Sequence, residues 1–180
     1  MIVVMDTEAT ELLAPEASDI NLQPHIMEFA GIKLDKQMNE VERISFLVTP
    51  PISVPPEVIK ITGLMDEMLK DAGALITHMS KLQKFFVGSE ILVAHNASYD
   101  VGVLSYELQR LGLQNKFPWP PRHICTVEST MQIRGYRLNL AKLHEHLFNQ
   151  KFEGAHRAMA DTEALLKCFR KLVDDGEIVL

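Results

Sequence analysis

The chain has 180 residues, of which 47% are hydrophobic and 23% are charged, and it carries a formal net charge of −6. This length and balance are typical of one compact domain spanning residues 1–180 with a single core. The negative charge argues against a protein that holds nucleic acid mainly by general attraction to phosphates, because that mode needs a basic surface. A site containing divalent cations is not excluded, since the ions reverse the local charge.

Neither a membrane segment nor a disulfide framework is predicted. The longest apolar runs, such as residues 91–94, are far shorter than the roughly 20 residues that span a bilayer. The first residues contain no basic leader and no cleavage site, so we expect a cytoplasmic protein. Cys125 and Cys168 lack a CxxC spacing and are expected to be reduced and structural. His123 near Cys125 and the HxH pair at 144–146 lack the partners that a zinc site needs.

The first part of the chain predicts a strand, a loop and a hairpin. Residues 2–6 form an apolar, β-branched run that ends in an acid, which is typical of a buried strand emerging at a sheet edge. Residues 10–24 are irregular, acidic and contain proline, so we interpret them as a surface loop. Residues 25–35 and 41–49 flank a polar turn and predict a two-stranded hairpin.

The rest of the chain predicts helices that alternate with short strands. The four prolines within residues 50–56 predict a connector that leads into short helical turns. Apolar spacing then predicts helices over 75–87, 100–111, 139–148 and 159–173, and strands over 91–95 and 124–127. Asn139 is a plausible cap for its helix. The sum is an α/β layout in which helices cover a sheet.

Two acids, Asp6 and Glu8, lie at the end of the first predicted strand. Because strand side chains alternate with a period of two, both carboxylates point to the same face. Carboxylates this close repel each other unless a cation or a proton intervenes. A solvated turn after the strand explains this pair equally well, so the spacing alone leaves both interpretations open.

A third acid, Asp100, follows the predicted strand 91–95 and opens the next predicted helix. A negative charge at a helix start interacts favourably with the helix dipole, so a simple cap is one interpretation. Asp100 also lies four residues before Leu104, on the apolar stripe, which places its side chain near the inward face. A cap alone would be expected to face solvent.

The fourth acid, Asp161, lies four residues before Leu165 on the apolar face of the last predicted helix. An inward carboxylate is costly unless it finds a partner, and no basic residue occupies the same stripe one turn away. A metal ion is therefore an attractive partner. His156, five residues before Asp161, fits a loop just before the helix, from which it could swing toward a substrate.

Taken in order, these segments resemble the DEDDh family of 3′-to-5′ exonucleases. The resemblance rests on Asp6-Thr7-Glu8, on the Asn-Ala-Ser-Tyr-Asp run at 96–100, and on His156 with four residues before Asp161. It extends through residues 55–57, 61–64 and 66–69 and covers nearly the whole chain. Within the family, the chain is most similar to bacterial exonuclease X and to the proofreading subunit of the bacterial replicative polymerase.

The resemblance implies a ribonuclease H-like fold, with a mixed five-stranded sheet of three antiparallel strands followed by parallel ones, flanked by helices. It implies that Asp6, Glu8 and Asp161 bind one divalent metal ion, with Asp6 bridging to a second ion that Asp100 supports through water. Two ions, Mg²⁺ or Mn²⁺, stabilise the attacking and leaving oxygens of a phosphodiester. His156 is implied as the general base, since a histidine with its ordinary pKa of about 6.5 is mostly neutral at working pH.

The resemblance also implies contacts to the last nucleotide of a DNA 3′ end, made by Thr7, Ala9, Thr10, Ile61, Thr62, Asn96 and Tyr99. Two positions depart from the family pattern: Ala9-Thr10-Glu11 replaces the common Thr-Thr-Gly, and Thr62 stands where a histidine is frequent. Packing in the core explains Tyr99 as well as contact with a base does. Arg157, next to His156, is the predicted phosphate contact.

Alternatives to a DNA exonuclease remain open. Some members of the family cut RNA, and the choice depends on tolerance of the 2′-hydroxyl. A non-catalytic module that binds nucleic acid or a polymerase is disfavoured, because all five catalytic positions are present. Association with a polymerase is possible but not favoured, because the seven residues after Val173 are too few and too acidic to resemble the polymerase-binding tail of the proofreading subunit. The oligomeric state is open.

Overall fold

The computed structural model describes residues 1–14, 16–17 and 19–180, with the backbone alone at positions 132 and 133. Within these residues the strands are β1 (Ile2–Ala9), β2 (Ile26–Leu34), β3 (Glu40–Leu47), β4 (Ile91–Ala94) and β5 (Arg122–Cys125). The helices are α1 (Pro56–Thr62), α2 (Asp66–Leu69), α3 (Leu75–Phe86), α4 (Ala97–Arg110), α5 (Thr126–Arg134), α6 (Leu140–Phe148) and α7 (Ala158–Asp174), and a 3-10 turn covers Ile20–Leu22. Positions 15 and 18 of the predicted loop at 10–24 lie outside the described residues.

The strands form one mixed sheet in the order β3-β2-β1-β4-β5. β1 pairs antiparallel with β2, and β2 pairs antiparallel with β3. β1 pairs parallel with β4, and β4 pairs parallel with β5. The predicted hairpin and the predicted ribonuclease H-like α/β fold are both confirmed by this topology.

Alternation along β1 separates two hydrophobic clusters, one on each face of the sheet. Val3 and Met5 pack on one face with apolar residues of α3 and α4. Ile2 and Val4 pack on the other face with apolar residues of α6 and α7. Because helices cover both faces, β1 is apolar at every position from 2 to 5. The same alternation decides which face each later residue of β1 points to.

Most predicted helices agree with the structure within a residue or two. Helices α3, α6 and α7 match the predicted ranges 75–87, 139–148 and 159–173. Asn139 caps α6 as predicted, because its side-chain oxygen accepts a hydrogen bond from the Lys142 N–H at 2.9 Å. The connector after the prolines leads into the short helices α1 and α2, also as predicted.

Three predicted boundaries were wrong. β1 continues to Ala9 instead of ending at Asp6, because its pairing with β2 extends through the acidic end of the strand. α4 begins at Ala97, which places Asp100 inside the first turn instead of at the start. The predicted strand at 124–127 ends at Cys125, and α5 begins at Thr126. Polar residues interrupt the apolar spacing of α5, so periodicity could not predict this helix.

No helix in the described part of the chain is long and apolar enough to cross a bilayer. Cys125 and Cys168 are both buried free thiols, as predicted.

Candidate active site

Strand β1 directs Asp6 and Glu8 toward helix α7. Ile2 and Val4 already pack against α7, and a period of two puts positions 6 and 8 on the same face. Both acids lie within the strand and are half-buried. The rigid pairing of β1 with its neighbours therefore fixes the position of two carboxylates, where a solvated turn would have left them mobile.

Helix α4 supplies Asp100 from the opposite face of the sheet. Thr7 lies between Asp6 and Glu8 and points toward α4, where its N–H and its Oγ1 donate to Asp100 Oδ1 at 2.9 and 2.8 Å. Asp100 is 2% exposed. The carboxyl is thus an inward group held by two hydrogen bonds, as the position of Asp100 on the apolar stripe indicated, and not a solvent-facing cap.

Helix α7 and the loop before it supply Asp161 and His156. Asp161 lies in the first turn of α7 and is buried. Its Oδ2 accepts a hydrogen bond from the backbone N–H of His156 at 2.7 Å. The His156 side chain is exposed, and its backbone has φ of 67°. The histidine therefore lies in the loop just before the helix, as predicted.

The structure brings these five side chains together. Asp6, Glu8, Asp100, Asp161 and His156 all line one cavity of about 240 Å³. Glu8, His156 and Asp161 can each offer a ligand atom, and these three atoms lie within 4.8 Å of one another. Residues separated by more than 150 positions in the chain thus converge on one pocket.

Burial raises the pKa of all four carboxyls, and the charge of neighbouring acids raises it further. The pKa of Glu8 rises to about 8. The pKa of Asp100 rises to about 7, although the hydrogen bonds from Thr7 oppose the shift. A cluster of carboxyls with raised pKa values holds protons unless a cation takes their place. Carboxylate oxygens are the ligands that Mg²⁺ and Mn²⁺ prefer, so the donor set fits these ions.

A second cavity, of about 680 Å³, adjoins the first. Its lining includes Ala9, Ile61, Thr62 and Tyr99, four of the residues predicted to contact a terminal nucleotide, together with Glu8. Tyr99 lines both cavities, and its hydroxyl donates to the Glu11 carbonyl at 2.8 Å. The two cavities therefore share the lining residues Glu8 and Tyr99, and the larger one is lined mainly by apolar groups.

Other predicted substrate contacts have partners within the protein. Thr10 is 1% exposed, and its N–H and its Oγ1 both form hydrogen bonds with the backbone of His25 at 2.9 Å. Asn96 Oδ1 accepts from Arg137 at 3.4 Å. Neither Thr10 nor Asn96 lines either cavity. The side chain of Thr7 is directed to Asp100, as described above.

The side chain of Arg157, the predicted phosphate contact, forms an ion pair with Glu28 instead. Its Nε and Nη2 lie 3.0 Å from the two oxygens of that carboxylate. Sequence reasoning did not single out Glu28, a buried acid near the start of β2. The sequence did contain a signal, since Glu28 stands among apolar residues in a predicted strand. A buried acid in such a position needs a partner.

His144, one of the histidines considered as zinc ligands, has another partner. The buried His144 forms a 2.7 Å hydrogen bond through Nδ1 with the Gln150 carbonyl. Among the described residues, the cluster that could hold a metal ion is Glu8, His156 and Asp161, and it contains none of His123, His144 and His146.

Comparison with known proteins places this site in a family context. The RNase_T family of exonucleases matches residues 3–169. The epsilon subunit of DNA polymerase III from Treponema pallidum is 29% identical over 174 residues, covering 93% of this chain and 74% of that protein. The chain spans only 11% of the length of the PolC-type DNA polymerase III proteins that it matches in Caldanaerobacter subterraneus and Bacillus subtilis.

Two solved structures share the fold. Exonuclease X in complex with 5′ overhanging duplex DNA has a TM-score of 0.67 and 24% identity, covering 98% of this chain and 93% of that one. The nuclease domain of 3′hExo, a DEDDh family member bound to rAMP, has a TM-score of 0.77 and 18% identity, covering 97% of this chain and 92% of that one. The family match spans almost the entire chain and includes all four clustered acids. The chain therefore belongs to the RNase_T exonuclease family, in agreement with the resemblance that its DEDDh motifs carry.

Proposed function

We propose that the protein is a metal-dependent 3′-to-5′ exonuclease that removes nucleotides from DNA 3′ ends and releases nucleoside 5′-monophosphates. The observation that carries the proposal is the convergence of four carboxyls and His156 on one cavity. Membership of the exonuclease family supports the reaction. The complex of exonuclease X with duplex DNA supports DNA as the substrate class.

The residues that would hold two divalent ions are the four clustered acids. Asp6, Glu8, Asp100 and Asp161 all line the cavity and would hold the ions there through their carboxylate oxygens. Bound Mg²⁺ or Mn²⁺ would neutralise the charge that develops on the attacking and leaving oxygens of the phosphodiester. Thr7 contributes by holding Asp100 in place through two hydrogen bonds.

His156 would accept a proton from the attacking water. Its exposed imidazole borders the cavity, where it can reach a water molecule without displacing the buried carboxyls. A general base works only in its neutral form, so cleavage should slow on acidification. A cleavage rate that stays constant as the pH is lowered would argue against this role.

The larger neighbouring cavity would receive the terminal nucleotide. Ala9, Ile61, Thr62 and Tyr99 line it with mostly apolar surface, which suits a base and a sugar. We also propose Asn96, Thr10 and Arg157 as contacts to the nucleotide. A side-chain atom of each already forms a hydrogen bond within the protein, so fewer of their polar groups are available to the substrate. In Arg157, Nη1 lies outside the two hydrogen bonds to Glu28 and could reach a phosphate.

Trimming of RNA 3′ ends is the second candidate function. The observation that favours it is the likeness to 3′hExo, which was solved with the ribonucleotide rAMP. Association with a polymerase is a further proposal, motivated by the epsilon subunit relative from Treponema pallidum.

The test is a cleavage assay with 3′-end and 5′-end labelled oligonucleotides of identical sequence, as single-stranded DNA, duplex DNA and RNA. Each is incubated with Mg²⁺, with Mn²⁺ and with EDTA, and the released products are identified by chromatography. We expect metal-dependent release of nucleoside 5′-monophosphates from DNA 3′ ends. Stronger cleavage of RNA than of DNA would show that RNA is the substrate. A folded protein that is inactive with both ions would favour a non-catalytic binding module.

Matched variants separate this activity from a contaminating nuclease. Asp6→Asn removes a predicted ligand and should abolish cleavage. Asp71→Asn makes the same chemical change at an exposed position outside both cavities and should leave cleavage intact. Equal activity of the two variants would contradict the proposed site.

A further inference from the structure

An ion pair anchors the loop that carries His156 to the central sheet. Glu28 lies in β2, opposite Glu8 in the register with β1. Its side chain is 5% exposed, whereas that of its partner Arg157 is 43% exposed. Arg157 Nε and Nη2 each lie 3.0 Å from one oxygen of the Glu28 carboxylate. Two parallel N–H···O bonds fix the orientation of the planar guanidinium as well as its position.

The same carboxylate also binds the start of helix α7. The N–H of Ala158, the first residue of α7, donates to Glu28 Oε2 at 3.1 Å. Arg157 occupies the N-cap position, and its side chain forms no capping hydrogen bond. Glu28 thus supplies, from a distant strand, the acceptor that a capping side chain usually provides. With three protein donors, the Glu28 carboxylate is satisfied without a metal ion.

His156 lies directly before these anchored residues, in a backbone conformation that needs support. Its φ of 67° is in the left-handed region, which is disfavoured for residues other than glycine. Its N–H donates to Asp161 Oδ2 at 2.7 Å. The hydrogen bond to Asp161 on one side and the Arg157–Glu28 pair on the other together hold this conformation.

We infer that Glu28 and Arg157 are positioning residues for His156, and that their ion pair keeps the imidazole facing the carboxyl cluster. The inference rests on the proposed function, because it assigns them a role in proton transfer by His156. Arg157 also offsets the negative charge of Glu28, which lies opposite Glu8 in the sheet. Phosphate binding through Nε and Nη2 is incompatible with this geometry.

Kinetics of two variants test the inference. Glu28→Gln removes the charge of the anchor but keeps an acceptor for the Ala158 N–H, and Arg157→Lys keeps the charge but loses the bidentate geometry. We expect kcat to fall by about 10- to 100-fold in each, with KM changed by less than about two-fold. Arg43→Ala is the matched control, since it removes an exposed ion pair with Glu163 of α7 away from the cavity. It should leave both constants unchanged.

A double-variant cycle with His156→Ala separates positioning from general stability. In the wild type, loss of His156 should cost about 100-fold or more in kcat. In the Glu28→Gln background the same substitution should cost less than in the wild type, by about the factor that Glu28→Gln itself costs, because a misplaced base contributes less. Costs that multiply independently would overturn the inference. A raised KM with unchanged kcat in Arg157→Lys would instead identify a phosphate contact.

A measurement without substrate keeps the inference testable if the proposed nuclease activity fails. Amide hydrogen exchange, followed by NMR, reports whether the His156 N–H remains bonded to Asp161. Both variants should lose protection at His156 while amides of β1 keep theirs, which also verifies that the fold is intact. Unchanged protection at His156 in folded variants would refute the anchoring role, whatever the activity of the wild type.

Discussion

Replacing Asp100 by asparagine should stabilise the metal-free protein while it abolishes cleavage. The Asp100 carboxyl is 2% exposed, and burial raises its pKa from 3.8 to about 7 despite two hydrogen bonds from Thr7. Asparagine keeps an oxygen that accepts both hydrogen bonds, but it cannot ionise. The substitution therefore removes the cost of charging a buried group and also removes a predicted metal ligand.

The expected gain in stability follows from the raised pKa. Above about pH 7 the carboxyl is charged in both states, and a rise in pKa from 3.8 to about 7 costs the folded state about 4 kcal/mol. Protonation of neighbouring carboxyls relieves part of the repulsion, so we expect a net gain of about 2 kcal/mol, or roughly 4–8 °C in Tm. Below about pH 4 the carboxyl is protonated in both states, and the substitution should be neutral.

Thermal unfolding in EDTA at several pH values between about pH 4 and pH 8 measures this gain. Asp71→Asn, at an exposed position, is the control and should leave Tm unchanged at every pH. Addition of Mn²⁺ should raise the Tm of the wild type more than that of Asp100→Asn, because the ion offsets the negative charge of a carboxylate that the variant lacks. A variant less stable than the wild type near pH 8, or a gain of equal size at pH 4, would refute the reasoning.

Four further substitutions, at three positions, test individual contacts. Thr7→Val removes one of the two donors to Asp100, which should raise the pKa of that carboxyl further and slow cleavage about 10-fold near neutral pH, with recovery at higher pH in a kcat profile. Burial lowers the pKa of His95 to about 4, so between about pH 6.5 and pH 4 this side chain is protonated in the unfolded state and neutral in the folded state. The protein therefore loses stability as the pH falls through that range. In urea unfolding, His95→Gln should show a weaker loss over that range. Asn139→Ala should cost about 1 kcal/mol in the same assay by removing the cap of α6, and Asn139→Ser should restore most of it.

The sequence was sufficient to predict the helices whose buried face is marked by regularly spaced apolar residues. Helices α3, α6 and α7 each carry a regular apolar stripe, and their predicted ranges were confirmed. Helix α5 was missed because its polar residues interrupt such a stripe, although Thr126, Val127 and Thr130 of this helix are buried. Apolar spacing therefore predicts a helix only when apolar residues at regular intervals form its buried face.

By itself, the sequence determined the side chains available for chemistry and their local directions. The period of two along β1 sends Asp6 and Glu8 to one face, and the apolar stripes of α4 and α7 turn Asp100 and Asp161 inward. Only the tertiary structure decided which groups meet. The pairing of β1 with β2 sets Glu28 opposite Glu8, and the packing of α7 on these two strands brings Arg157 to the Glu28 carboxylate. The contact between Arg157 and Glu28 joins residues 129 positions apart. Both arrangements depend on strand register and helix packing, which no local pattern contains.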